Sequence, residues 1–231
     1  MTPLVLLPGM MCDARLFGPQ IAAFQDARPV HVLSITEADT MQELARLVLD
    51  NAPDRFALGG LSMGGIVAME VIRQAPERIA GAAFLDTNPK AEVPEVAAMR
   101  APQIAKARAG ELRSVMRDEM KPRYLADGPD KQDILNLCMK MAEDLGPEVF
   151  IRQSRALASR PDQQDTLRAL KVPTLALCGT EDALCPIHRH ELIRDLVPGA
   201  RLEIIPNAGH LPTLEQPDAT NAALRRWLEA V

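Results

Sequence analysis

Four consecutive apolar residues, Leu4, Val5, Leu6 and Leu7, stop at Pro8-Gly9. A run that is apolar at every position, not at alternate ones, predicts a strand covered on both faces. The next apolar positions, Ala14, Leu16, Phe17, Ile21, Ala22 and Phe24, share one face of a short helix over 14–25. The alternation continues with a strand over 30–35 and a helix over 40–51 that turns Met41, Leu44, Leu47 and Val48 inward. Residues 56–61 read as a third strand and 66–73 as a helix. Residues 82–85 read as a fourth strand, closed by Asp86-Thr87-Asn88-Pro89. Apolar strands separated by helices of this length predict βαβ units and a parallel sheet.

The rhythm then breaks. From 89 to 169 no strand pattern is found, and helical periodicity runs through 93–108, 111–120, 129–144 and 147–158. Pro122, Gly128-Pro129, Gly146-Pro147 and Pro161 punctuate these helices, and Pro129 and Pro147 suit first-turn positions. Strand and helix alternate again through a strand at 174–178, a helix near 190–197, a strand at 202–205 and a closing helix through Leu224 and Trp227. The pattern predicts an α/β core, residues 1–88 and 170–231, interrupted by a helical cap at 89–169.

Composition narrows the class. With 231 residues, 47% hydrophobic and 25% charged, the chain has the balance of a soluble globular domain. A net charge of −5 offers no electrostatic reason to expect nucleic acid or an anionic membrane as partner. Four cysteines (12, 138, 178 and 185) are too sparse for a disulfide scaffold and point to a reducing, cytoplasmic setting. The N-terminus lacks signal-peptide character, and no apolar run approaches the roughly 20 residues of a membrane-spanning helix. Aromatic residues are only 3% against 11 methionines, so an apolar pocket is expected to be lined by Leu, Met, Ile and Ala. The methionines at 99, 116, 120, 139 and 141 read as packing residues of the cap helices.

The strongest chemical signal is Gly60-Leu61-Ser62-Met63-Gly64, where a strand stops and a helix starts. A serine on so tight a turn projects its hydroxyl above the sheet, and the turn has no room for side chains at Gly60 and Gly64. A nucleophilic serine needs a base, and the base needs an orienting carboxylate. His210, in Ala208-Gly209-His210-Leu211, follows the last strand, so it lies at the sheet edge where Ser62 lies. His31 falls inside a strand, and His188 and His190 at a helix start read as surface groups. Two acids follow strand ends: Asp182 in Gly179-Thr180-Glu181-Asp182, which is favoured, and Asp86 as the alternative, whose other role would be to accept from loop amides. Pro8-Gly9-Met10 follows the first strand, so the Met10 and Met63 amides are candidates for an oxyanion hole, with Gly9 keeping the acyl site clear. Cys178, Cys185, His188 and His190 are close in sequence, but Cys178 falls in a strand and the spacing departs from zinc knuckles, so no metal is expected.

Together these motifs resemble the α/β-hydrolase superfamily, in particular its small bacterial esterase-like members. Leu7-Pro8-Gly9-Met10 matches the oxyanion loop, Gly60 to Gly64 the nucleophile elbow, Gly179-Thr180-Glu181-Asp182 the acid turn and Gly209-His210 the base, in the order Ser, Asp, His. The resemblance implies a mostly parallel sheet with no metal and no organic cofactor. Because the chain begins at what would be the family's third strand, a sheet of about six strands without the first hairpin is expected. Pro8-Gly9 replaces the frequent His-Gly, and 34–39 lacks a glycine-rich loop. The expected activity is serine-dependent cleavage of a carboxylic ester, thioester or lactone of a small, mostly apolar acid, through an acyl-enzyme on Ser62. The partner is then a small-molecule acyl substrate. Acyl transfer or cofactor-free lyase chemistry by the same triad is the alternative, and a non-catalytic ligand-binding protein is the rival from another class.

Overall fold

The computed structural model describes residues 1–231. Six strands form one sheet: β1 (Leu4–Leu7), β2 (Val30–Val32), β3 (Phe56–Leu61), β4 (Ile79–Leu85), β5 (Thr174–Gly179) and β6 (Arg201–Ile205). They pair in the order β2-β1-β3-β4-β5-β6, and every pairing is parallel. The chain runs outward from β1 to β2, then crosses back to place β3 on the other side of β1. That reversal is the switch point where the loops after β1 and β3 part and leave a crevice.

Helices cover both faces. α1 (Gly18–Phe24) lies on one side, and α2 (Met41–Asn51) and α3 (Met63–Gln74) lie on the other. Thr40 caps α2 by accepting from the Glu43 amide at 3.2 Å, which fixes the helix start that the sequence predicts. Strand side chains alternate between the two layers: Val5, Leu7, Leu58, Ala82, Phe84 and Ala176 pack with α2 and α3, while Leu4, Leu6, Ala57, Ala83, Leu175 and Leu177 pack toward α1. Uninterrupted apolar strands are therefore required.

Between β4 and β5 the chain forms no strand and is mostly helical. It contains α4 (Pro94–Lys106), a short α5 (Leu112–Ser114) between π-helical turns, α6 (Lys131–Ala158) and α7 (Gln164–Ala169). Gly146 breaks α6 with φ 78°, where the sequence separates two helices, and Gly110 at φ 86° marks the earlier break. Met116 and Met141 are buried here, and Met120 and Met139 pack half-buried against the core, but Met99 is 60% exposed. The C-terminal part adds α8 (Ile187–Leu196), α9 (Pro212–Glu215) and α10 (Pro217–Leu228).

Among the boundaries that differ from the sequence reading, three have a clear local cause. β2 ends at Val32 because its only partner, β1, runs out as the chain turns at Pro8, and His31 is exposed on this edge strand. β4 begins at Ile79, three residues early, since Gly81 masks the strand pattern. α3 starts at Met63, directly after Ser62, because Gly64-Gly65 hides its first turn.

Phe84, fully buried in the central strand β4, offers a direct test of this core. Phe84→Ala is expected to lower the free energy of unfolding by about 3–5 kcal/mol in equilibrium denaturation. A loss below about 1 kcal/mol would contradict the packing described.

Candidate active site

Ser62 sits between β3 and α3 with φ 55° and ψ −116°, a region that non-glycine residues rarely occupy. The local chain path explains the flanking glycines. A Cβ at Gly64 would lie 2.0 Å from the Leu7 carbonyl oxygen, and one at Gly60 would lie 2.3 Å from the Gly64 carbonyl oxygen. Gly9 is different. A Cβ there would make ordinary contacts of 3.5–3.6 Å with Leu61 and Ser62, so the backbone tolerates it and only the space over Ser62 would be lost. The strained turn is anchored at both ends: the Ser62 amide donates to the Leu85 carbonyl at 2.9 Å, and the Thr87 hydroxyl donates to the Ser62 carbonyl at 2.7 Å.

Three side chains from three strand ends line up. His210 Nε2 is 2.9 Å from Ser62 Oγ, and His210 Nδ1 is 2.9 Å from Asp182 Oδ2. Asp182 is buried, which alone would raise its pKa. The neighbouring His210, together with amide hydrogen bonds from Cys185 and Leu184, brings it down to about 2 instead. Asp86, the alternative acid, sits beside Asp182 but is not bonded to His210: it accepts from the Gly179 amide at 3.0 Å, and its other carboxyl oxygen has no partner. Burial first, and then the charge of Asp182, push the Asp86 pKa well above the usual carboxylate range.

Met10 and Met63 line the same cavity as Ser62 and His210. The Met10 amide donates to no acceptor within the protein. The Met63 amide is the first of α3, at a position where no preceding helical turn supplies an acceptor. The loop that carries Met10 is held by Gln153 of α6, which accepts from the Met11 amide at 2.8 Å and donates to the Ile35 carbonyl at 3.0 Å.

Some site residues carry no sequence motif. His190 is not a surface group. It is fully buried, and its Nε2 accepts from the Thr87 amide at 2.9 Å, so it steadies the residue that holds Ser62. A helix that begins after Cys185-Pro186 gave no sign of which face it would bury. Glu215 accepts from the amides of Ala126, Gly209 and Leu211 at 2.8–2.9 Å, tying the His210 loop to the inserted helical segment. The His210 amide in turn donates to the Tyr124 carbonyl at 2.6 Å.

The cysteines and histidines weighed for zinc do not converge: Cys178 is inside β5, and the ring of His190 is engaged by Thr87. Cys185 instead approaches Asp182 and His210, with ligand atoms within 4.8 Å, but those two are already bonded to each other. The cavity over Ser62 measures about 900 Å³. Its floor has the expected Leu, Met and Ile residues, but its wall also carries several arginines that the aromatic-poor composition did not foreshadow.

Residues 4–223 match the alpha/beta hydrolase family, and the chain belongs to it. It is 28% identical over 238 residues to a pimeloyl-[acyl-carrier protein] methyl ester esterase of Edwardsiella ictaluri, covering 96% of this chain and 91% of that protein. It is 27% identical to carboxylesterase YbfK of Bacillus subtilis over 256 residues, covering 97% and 79% respectively. Among solved structures, a thermophilic esterase from Thermogutta terrifontis, with malate bound, superposes with a TM-score of 0.89 at 29% identity, covering 99% of this chain and 90% of that one. The enol-lactonase of Burkholderia xenovorans LB400 shares the fold, with a TM-score of 0.87 at 21% identity over 99% and 92% of the two chains.

The buried His190 gives a pH prediction. Burial lowers its pKa from 6.5 to about 4, so over that window the unfolded chain takes up the proton first. Stability should fall as pH drops from 6.5 toward 4, by on the order of 3 kcal/mol from this group. His190→Gln offers a non-titrating acceptor in its place. Denaturant unfolding at several pH values should show a shallower slope for this variant, and identical slopes would refute the assignment.

Proposed function

We propose that the protein is a carboxylic ester hydrolase that works through an acyl-enzyme on Ser62. The observation that carries this reading is the hydrogen-bonded line from Ser62 through His210 to Asp182, with Asp182 held ionised. Ser62 Oγ attacks the ester carbonyl while His210 Nε2 takes its proton. Asp182 holds the imidazole tautomer and stabilises the imidazolium that forms. The Met10 and Met63 amides meet the oxyanion of the tetrahedral intermediate. His210 then protonates the departing alcohol, and deacylation follows when it activates water to attack the acyl carbonyl.

The helical segment 89–169 acts in this reading as a cap that shapes the acyl and leaving-group pockets. Asp86 serves the Gly179 amide and is not part of the triad. Methyl esters of acyl chains, the class named for the acyl-carrier-protein esterases, are the first substrates to try. Three of the four free cysteines are buried and the fourth is half-buried, which fits a reducing cytoplasm. No helix is long and apolar enough to cross a membrane.

A fluorophosphonate should add to Ser62, and Ser62→Ala should abolish labelling. Equally fast modification of another serine would defeat the assignment. The two acids separate by substitution. Asp→Asn at the orienting position of a serine protease costs about 10⁴ in kcat, so Asp182→Asn should lose several orders of magnitude while Asp86→Asn loses much less. Thermal unfolding of both variants controls for folding. A well-folded but inactive Asp86→Asn beside an active Asp182→Asn would reverse the assignment.

A further inference from the structure

The cavity above Ser62 carries more positive charge than the hydrolysis of a neutral ester uses. Glu92, whose side chain is only 4% exposed, is shared by Arg100 and Arg160, with Arg160 Nη1 at 2.8 Å from its carboxylate. One carboxylate therefore faces two guanidinium groups. Arg189, on α8, lies close enough to repel Arg160, whose pKa is lowered by burial and then by its cationic neighbours Arg100 and Arg189, against the pull of Glu92. Arg189 lines the cavity, its Nε is buried without a hydrogen-bond partner, and no carboxylate pairs with it. Two carboxylates farther along α8 also line the cavity. Asp195 is paired with Arg194 at 2.7 Å, and Glu191 makes no bond to Arg189. Nε is closed off, but Nη1 and Nη2 are not, and neither has an acceptor within the protein, so a substrate in the cavity can supply one.

The position relative to the triad is fixed through Cys185. Its thiol lies within 4.8 Å of ligand atoms of Asp182 and His210, and α8, which carries Arg189, starts two residues after it. The cationic cluster is thus on the Asp182 side of the site.

We propose that the ester cleaved at Ser62 carries a carboxylate on its non-reacting end, and that Arg189, supported by Arg160 and Arg100, binds that carboxylate. The inference rests on the hydrolase reading above and names its substrate class: a half-ester of a dicarboxylic acid, apolar along its length and anionic at one tip. A carboxylate is favoured because its two oxygens match one guanidinium fork. Arg189 acts in binding and not in proton transfer, so its effect should fall mainly on KM.

The test pairs the para-nitrophenyl monoester of adipic acid with para-nitrophenyl hexanoate, its neutral match. The wild-type protein should favour the anionic ester. Arg189→Gln should lower kcat/KM for that ester by roughly 10- to 100-fold, the range expected for a lost charge-assisted hydrogen bond, with a much smaller loss on the neutral ester. Arg189→Lys should recover part of the preference. Equal handling of the two esters by the wild type, or an equal fall on both in Arg189→Gln, would overturn the inference while leaving the hydrolase reading intact. Stronger competition by inorganic phosphate than by adipate would also overturn the choice of carboxylate. Cleavage of neither ester, with Ser62 unlabelled, would sink the hydrolase reading itself.

Discussion

The structure of the site depends on one close approach: the first turn of α3 passes directly over the end of β1. The Leu7 carbonyl and the Gly64 backbone are so near that a single Cβ at Gly64 would sit 2.0 Å from the carbonyl oxygen. This contact forces the chain to turn within one residue after β3, and that residue is Ser62 at φ 55°. Such a conformation costs on the order of 1–3 kcal/mol and persists only where its surroundings over-determine it. Here the Leu85 carbonyl holds the Ser62 amide, and the Thr87 hydroxyl holds the Ser62 carbonyl. Because β1 and β3 are neighbours at the switch point, the same approach brings the Met10 loop beside the serine.

The core of the fold was legible because burial on both faces leaves little freedom in composition. β1 and β3 have the bounds that their apolar runs imply, and β5 runs one residue farther, to Gly179. The motif-bearing residues were legible for a related reason. Gly60, Ser62 and Gly64 answer to a backbone constraint with few solutions, and Asp182 and His210 follow strand ends in a parallel sheet. What escaped was support supplied across long sequence separations. Gln153 reaches the Met11 loop from α6, Glu215 gathers three amides, and His190 bonds to Thr87 across more than a hundred residues. None of these contacts leaves a local pattern, since each is set by which helix face meets which loop. The arginines of the cavity wall were hidden likewise. Arg100 and Arg160 lie far apart in sequence within the inserted segment, and Arg189 lies beyond it on α8.

The inserted segment contributes backbone anchors to the site as well as side chains to the cavity wall. The Tyr124 carbonyl fixes the His210 amide, and the Ala126 amide shares Glu215 with the His210 loop. A loop tied in this way is held by the protein itself, so His210 need not be ordered by substrate. Preorganisation of this kind lets hydrogen-bonding groups act on developing charge without paying for reorientation during reaction.

The site also shows that residue type alone does not assign a role. Asp86 and Asp182 both follow central strands and both are buried, yet they end in opposite electrostatic states. Asp182 faces an imidazole and two amides, which hold it as a carboxylate with a pKa of about 2. Asp86 has one amide and a negative neighbour, so burial dominates and its pKa rises. The two histidines divide in the same way. His210 has Asp182 on one nitrogen and Ser62 on the other, an arrangement that supports an imidazolium as it forms. His190 spends Nε2 as an acceptor for the Thr87 amide, and burial above all disfavours its protonated form and lowers its pKa to about 4. A proton arriving at His190 would break the bond that steadies Thr87, whereas a proton arriving at His210 is met by Asp182. The two imidazoles therefore differ in their surroundings: His210 has a carboxylate bonded to its second ring nitrogen, whereas His190 is buried with no carboxylate bonded to it.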